Sequence, residues 1–568
     1  MATCWVILKA VAKTGIAVPR RFEAGNLYES HLEIPGSTVR GAFAAIFLEQ
    51  GNNPANTHQW FETPAIRFSP LRPVPMEGEV QDGLAVLPVP RSARSCKYDG
   101  GLPEGGHGVY DLLLKVAQPL SERHEELDCP ECHAPIEPLD SPWLLANFVT
   151  KYGRDYKPDL RLATHVGIGA IGTDEMNLAK EGRLFSLQCF PAGTEFRGWI
   201  AVKEENEEKA REKAEALLKV IGFERNTSGQ WQLENLRVGR RSSTYGALKV
   251  TALVQDKSPW QESHRTFEER WKAYQKQLPE KLSMEKAQDN FFFSVTLVTD
   301  TILLDKFLRP YRILTSQEVE RRLRQEIERR SRLEEGSVQL LACFARPQLV
   351  GGWHTAHHLP KERDMAIAAG SVFLFSVSRN ELDEETLKKA LQRWEEEGIG
   401  WRRSEGFGQV LICDPWHLTQ SMVCLRWQKS HEEAKVKGLD EKVVSFLQRH
   451  EGELKRSGLS SSQLNYLQSY ANILDRLQRF GGMKNPTERL REYLKRQEER
   501  GIEGWTHRVG EQTLAKALIE MLGLEGDQWE NVIKRLSDFL LAMRVLLEGS
   551  RKEERFSIKQ LLWEEEKR

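Results

Sequence analysis

The sequence predicts an α+β protein: two related mixed units followed by an all-α region. Three observations predict it. An internal repeat has halves that each read strand, helix, glycine-rich loop, strand. A stretch rich in Pro and Gly carries a C-x-x-C knuckle. The C-terminal quarter shows helical periodicity and no strand-like runs. At 568 residues the chain has room for about three domains. The expected boundaries are a first unit over 1–260 with an insert at 67–160, a connector over 261–288, a second unit over 289–427 and a helical bundle over 430–568.

Residues 1–10 read as a first β-strand, without the basic leader and cleavage site of a secretory segment. In Ile34-Pro35-Gly36-Ser37-Thr38-Val39-Arg40-Gly41, Pro-Gly makes a turn, Ser37 or Thr38 can cap, and a helix follows over 39–48. A helix start with Arg40 one turn in suits a phosphate, and equally suits an ordinary helix. The insert is poor in periodic pattern and punctuated by Pro70, Pro73, Pro88, Gly100 and Gly105. Next comes the run Arg161-Leu162-Ala163-Thr164-His165, leading through Asp174 to Arg183. It reads as a β-hairpin projecting from the sheet, its basic residues on RNA backbone or merely solvated. A nuclease reading takes His165 as general base with Arg161 on the phosphate, or a loop aspartate such as Asp174.

A strand over 193–202 and an amphipathic helix over 204–220 lead to the first glycine loop, Val238-Gly239-Arg240-Arg241-Ser242-Ser243-Thr244-Tyr245-Gly246. The second half repeats the plan. An aromatic and β-branched strand covers 291–300, another strand 370–377, and a helix 384–397. The second loop is Trp401-Arg402-Arg403-Ser404-Glu405-Gly406-Phe407-Gly408. Glycine allows close backbone approach to a phosphate, and two guanidinium forks with successive N–H groups hold the anion. The second loop is short and has Glu405 where a small residue suits phosphate better. The helix over 317–333 alternates Arg and Glu at i,i+4 and reads as a solvated face. Gly351-Gly352-Trp353-His354 with His357 and His358 suits base stacking on Trp353, metal binding by the histidines, or simple packing. Beyond 430, apolar residues recur with helical spacing, and Pro486 after Asn485 begins a helix.

Cys129-Pro130-Glu131-Cys132-His133 delivers two thiolates from one turn, and tetrahedral zinc needs four soft or borderline ligands. Cys96 is the third candidate and His107 the preferred fourth, with His133 and His124 as alternatives. A surface knuckle without metal is the bland reading. Cys4, Cys189, Cys343, Cys413 and Cys424 read as buried core thiols of a cytoplasmic protein. With 81 basic and 82 acidic residues the net charge is −1, so any attraction for a polyanion must be local. No apolar run is long enough to span a membrane.

These residues resemble the CRISPR-associated RAMP superfamily over about 1–425. The likeness rests on Ile34 to Gly41, Gly182-Arg183-Leu184-Phe185 and the two glycine loops. The cysteine insert, with Cys96-Lys97-Tyr98-Asp99 and His107-Gly108-Val109-Tyr110-Asp111, looks most like the type III-D family called Csx-ten. Gly351-Gly352-Trp353, with Pro360-Lys361 and Ala369 to Val372, is similar to the subunit capping the crRNA 5′ end in type III complexes. The resemblance implies two ferredoxin-like (RRM-like) domains, binding of the repeat-derived 5′ handle, and contact with the large polymerase-like subunit and backbone RAMP subunits. Target RNA is then met only indirectly. Catalysis is not implied; the alternatives are a metal-independent endoribonuclease of the same superfamily that trims pre-crRNA with His165, and a target-cleaving backbone subunit using a loop aspartate such as Asp174. The helical C-terminus is similar in size and character to the small helical subunits of such effectors.

Overall fold

The computed structural model describes residues 2–20, 27–75, 85–98, 100–102, 107–118, 128–129, 132, 134–149, 152–168, 179–226, 229–239, 244–282, 287–326, 333–354, 359–419, 440–479 and 485–551. Asp174, Arg240, Arg241, Ser242, His124, His133, His357, His358 and Cys424 lie outside them.

In the first unit β1 (Ala2–Ala12) leads to α1 (Gly36–Glu49), β2 (Ile66–Phe68), β3 (Glu195–Glu204), α2 (Glu207–Val220), β4 (Trp231–Arg237) and β5 (Ala247–Gln255). The sheet order is β4-β5-β1-β3-β2. β1 runs antiparallel to both neighbours, with Val6 opposite Ile200 and Val254. Period-two alternation sends Cys4, Val6, Leu8 and Ala10 to one face. There they meet Val39, Phe43 and Phe47 of α1 and Ala210, Ala214 and Leu217 of α2. Asn206 caps α2 by accepting the Lys209 N–H at 2.8 Å. No side chain caps α1, which begins at Gly36 directly after Pro35. Neither Ser37 nor Thr38 therefore caps it, because both already lie inside the helix.

The second unit contains α3 (Phe267–Leu282), β6 (Asn290–Leu297), α4 (Ser316–Glu326), β7 (Val338–Phe344), β8 (Val372–Ser378), α5 (Glu384–Glu397) and β9 (Val410–Ile412). Its sheet order is β7-β8-β6-β9. In both units the first strand sits between the last and the third, and the second lies at the edge beside the third. The internal repeat is thus one of topology.

The stretch expected to be a connector is part of the second core. Trp271, Tyr274, Leu278 and Leu282 of α3 fall on one helical face and are buried. Beside them the Arg270 guanidinium donates to both Glu395 oxygens, at 3.0 and 2.6 Å. Cys343 is exposed, unlike Cys4, Cys189 and Cys413. It alternates with buried Ala342 on an edge strand, so it faces outward.

The other face of the first sheet is dry as well. Trp5 and Trp199 pack edge to face at 4.9 Å and share a cluster with Leu87 of the insert and Val298 and Leu411 of the second unit. The insert adds short strands. Ala85–Pro88 pairs with Trp143–Asn147, and Ala93–Cys96 lies between Val109–Asp111 and Ile136–Pro138. It docks on the second unit, where Leu113 joins the core and buried Asp111 pairs with His417. Arg161–Ile168 pairs with Ala179–Cys189 as an antiparallel hairpin.

The C-terminal region folds as α6 (Glu441–Lys455), α7 (Ser461–Arg479), α8 (Pro486–Glu499), α9 (Leu514–Leu522) and α10 (Trp529–Arg551), with one small ladder at 508–509 and 512–513. Pro486 occupies the first turn after Asn485, where its missing N–H is not needed. Leu447, Leu464, Leu518 and Phe539 belong to a core made of this region alone.

Glu395→Ala leaves the Arg270 guanidinium buried without its partner. The expected loss in denaturant unfolding is about 3–5 kcal/mol, and an unchanged midpoint would contradict a structural role for the pair.

Candidate functional site

A groove of about 2900 Å³ runs between the two units and the helical bundle. The start of α1 supplies Ser37 to its lining and the first glycine loop supplies Gly239. The second unit supplies Trp353 and Gly406, and the bundle supplies Ile473 and Lys534. Four sequence-predicted positions from four separate segments thus line one space. Trp353 is 40% exposed and pairs with Pro360 on a two-residue ladder.

Each loop glycine meets a close neighbour within the chain. Gly246 has φ 85°, and a Cβ there would lie 1.9 Å from the Val238 carbonyl oxygen. Gly408 has φ 76° and meets the Ile399 carbonyl at 1.8 Å. Gly239 and Gly400 match in the same way, blocked by the Ala17 and Ile302 carbonyls at 2.1 and 2.3 Å. The repeat therefore pairs Gly239 with Gly400 and Gly246 with Gly408. In each case the close neighbour is a carbonyl of this chain, which fixes the loop geometry.

The second loop is an interlock between the units. Gly36 and Gly406 both press on the Phe68 carbonyl, where Cβ atoms would come within 2.3 and 2.4 Å. Above this contact Glu405 receives Arg402 at 2.8 Å, Lys361 at 2.9 Å and Arg40 at 3.2 Å. Arg402 also pairs with Asp364 at 2.7 Å. Arg403 lies near Glu397, with oxygen contacts of 3.4 and 3.8 Å. Burial alone would raise the Glu405 carboxyl, but Arg402, Arg40 and Lys361 hold it down at about 2. The arginines read as phosphate ligands at 402, 403 and 40 thus have carboxylate or carbonyl partners within the chain. That wiring depends on tertiary contacts no local motif reveals.

Charges of both signs line the groove, and several of its acids are compensated. Glu33 receives the Arg72 guanidinium at 3.1 Å, and Glu234 receives Lys13 at 2.8 Å and Lys249 at 3.1 Å. Asp300 accepts the Ala369 N–H at 2.8 Å and the Gln348 amide at 3.1 Å, while burial pushes its carboxyl up. Arg20, Arg346 and Arg363 line the same space. Burial and the Arg20 charge push His31 down to about 4, so it is neutral at pH 7. Sequence reasoning missed Arg20, His31 and Arg346, which stand in no motif.

His165 lies outside the groove lining. Its Nε2 meets the Tyr245 hydroxyl at 2.8 Å, and its ring stacks on Phe185 with centroids 5.3 Å apart. Arg161 begins the same strand four residues earlier, opposite Cys189.

A second site stands apart in the insert. Cys96, His107, Cys129 and Cys132 bring one ligand atom each within 4.8 Å of one another. Cys96 ends its strand, and the neighbouring strand Val109–Asp111 begins two residues after His107. The Cys129 sulfur lies 3.4 Å from His107 Nδ1, and Cys96 and Cys132 sulfurs are 3.6 Å apart. Three thiols and an imidazole so gathered can hold a metal ion.

Residues 261–415 match the family model described as CRISPR-associated protein (Cas_Cmr3). No curated protein matches the chain. Among solved structures, it is similar to a chain of a Type III-B Cmr-beta bound to cognate target RNA and AMPPnP, at 11% identity over 70% of this chain and 94% of that one, with TM-score 0.27. A chain of a Csm3-Csm4 subcomplex from the type III-A CRISPR-Cas interference complex matches at 10% identity over 65% and 92%, with TM-score 0.27. A Cas6 product complex matches at 10% identity over 72% and 99%, with TM-score 0.29. Likenesses this slight do not define the fold.

Two outcomes follow. Glu405 is ordinarily protonated near 4.5 and here only near 2, so its ion pairs stabilise the fold above pH 4.5 and the benefit drains away as pH falls toward 2. The shift corresponds to about 3 kcal/mol, and Glu405→Gln should remove that acid-side slope in pH-dependent unfolding; identical slopes would show that the interlock contributes nothing. Elemental analysis should find a thiolate-bound metal ion in the purified protein, lost in Cys96→Ser; an equal metal content in that variant would exclude the cluster as the ligand set.

Proposed function

We propose that this chain is a non-catalytic RNA-binding scaffold subunit of a type III CRISPR effector, holding the repeat-derived 5′ handle of crRNA in the groove between its two units. The observation that carries the reading is the convergence of the α1 start, the Gly239 loop and Trp353 on one groove. An uncapped helix start favours an anion, and a half-exposed indole favours an unstacked base. The match of residues 261–415 to the Cas_Cmr3 family model supports membership of such an effector. Both sheets share the order last-first-third-second, with a helix after the first and third strands, and this supports the ferredoxin-like reading of each unit.

The large polymerase-like subunit and a backbone RAMP subunit are the expected neighbours, and a III-D affiliation of the Csx-ten kind rests on the cysteine insert. Zinc suits its three thiolates and imidazole, and would pin three short strands at one point. The helical bundle, with a core of its own, reads as a small-subunit-like module or a docking domain. A nuclease centred on His165 is disfavoured by its stacking on Phe185 and its place outside the groove lining.

Purified protein with labelled repeat RNA tests the reading. Trp353→Ala should weaken binding by about 1–3 kcal/mol. Arg346→Ala should lower the salt slope by about one unit. Specific cleavage abolished by His165→Ala, or binding indifferent to both groove variants, would overturn it.

A further inference from the structure

One turn in the second unit, away from the groove, displays apolar side chains that no described residue covers. It spans 305–309, between β6 and α4. The Asp305 carboxylate accepts the Phe307 N–H at 2.8 Å and the Arg309 N–H at 2.9 Å, and the Arg309 guanidinium at 2.7 and 2.8 Å. The Asp305 carbonyl accepts the Leu308 N–H at 3.0 Å, and the Asp305 N–H donates to the Arg309 carbonyl at 2.9 Å. The turn is therefore closed by its own hydrogen bonds.

Leu308 has φ 62°, a left-handed conformation that is strained for a residue bearing a Cβ. Glycine or asparagine would sit there more easily. Instead the position holds leucine, 66% exposed, beside Phe307, 65% exposed. Trp401, paired with Ile302 at the foot of the same hairpin, is 55% exposed. Lys306, Arg309 and Arg312 are exposed around the tip, and residues 306–313 contain no acid. A stiff, strained turn that presents two large apolar side chains within a basic collar is built for insertion into a complementary surface.

We infer that this turn is a docking knuckle for a neighbouring protein subunit of the effector, with Phe307 and Leu308 entering an apolar pocket edged by carboxylates that meet Lys306, Arg309 and Arg312. The inference rests on the effector reading for the identity of the neighbour. RNA is the poorer occupant. Leucine has no π face, and the Phe307 ring already carries Lys306 Nζ and the Arg309 guanidinium, each 5.1 Å from its centroid. A base would have to displace a cation to stack there.

The test is co-expression of the full chain with the other effector subunits, followed by native mass spectrometry and by repeat-RNA binding of the free protein. Leu308→Gly relieves the strained backbone while removing the tip, so it should fold at least as stably as the parent. Combined with Phe307→Ser, it should cut retention of one neighbouring subunit at least tenfold and leave RNA affinity unchanged. Complexes of the parent should also shed that subunit as salt rises. Full assembly by the double variant would overturn the knuckle while leaving the effector reading intact. Lost RNA binding with intact assembly would make the turn an RNA contact instead. A concentration-dependent dimer of the parent, abolished in the variant, would replace the neighbour with a second copy of this chain. Failure of the parent to join any effector subunit would overturn both readings.

Discussion

Backbone meets backbone where the two units join, and that contact sets the rest of the arrangement. Gly36 lies against Gly406, with the Phe68 carbonyl between them, so a side chain on either glycine would have no place to go. Such an approach is available only to glycine. It brings the first turn of α1 directly under the second loop, and Glu405 then gathers Arg40, Lys361 and Arg402 over the seam. Ser37 and Trp353 come from distant parts of the chain, yet they line one groove because this seam sets the two units side by side.

The two glycine loops were visible in the sequence as a pair, and their glycines also match in space. The equivalent residues are Gly239 with Gly400 and Gly246 with Gly408, matched through the carbonyls that occupy the missing side-chain positions. Each loop returns the last strand to the sheet beside the first, and Val238 and Ile399 donate to the carbonyls of Gly246 and Gly408 at 2.9 and 2.8 Å. A sequence shows that glycine is needed at such a position. It does not show whether the close neighbour is a ligand's phosphate or the chain's own carbonyl.

Local patterns carried the elements well. The aromatic and β-branched run at 291–297 is a strand, the apolar spacing beyond 440 makes helices, and Asn485-Pro486 begins one. The four metal-ligand candidates also gather, since C-x-x-C is a local signal and thiols are scarce enough to narrow the partners. Long-range wiring was not legible. The supposed connector carries Trp271 and Tyr274 into a core, because its polar outer face masks a narrow apolar stripe. Asp111 leaves the insert to meet His417, more than three hundred residues away, and no spacing rule anticipates that pair.

The charge balance is resolved by the same wiring. A chain with net charge −1 has no global attraction for RNA. What matters at the groove is which acids remain unmatched there. Glu33, Glu234 and Glu405 each face at least one cation at ion-pair distance. Each such pair is nearly silent beyond a Debye length, about 8 Å at physiological ionic strength. Asp300 is turned into backbone and amide donors and, being pushed toward protonation by burial, adds less negative charge than its sequence suggests. Arg20 and Arg346 line the space around it, and the uncapped start of α1 adds the partial positive charge of its first-turn N–H groups. The charge presented at the groove is thus set by which of its acids and bases pair within the chain, rather than by the composition of the whole sequence.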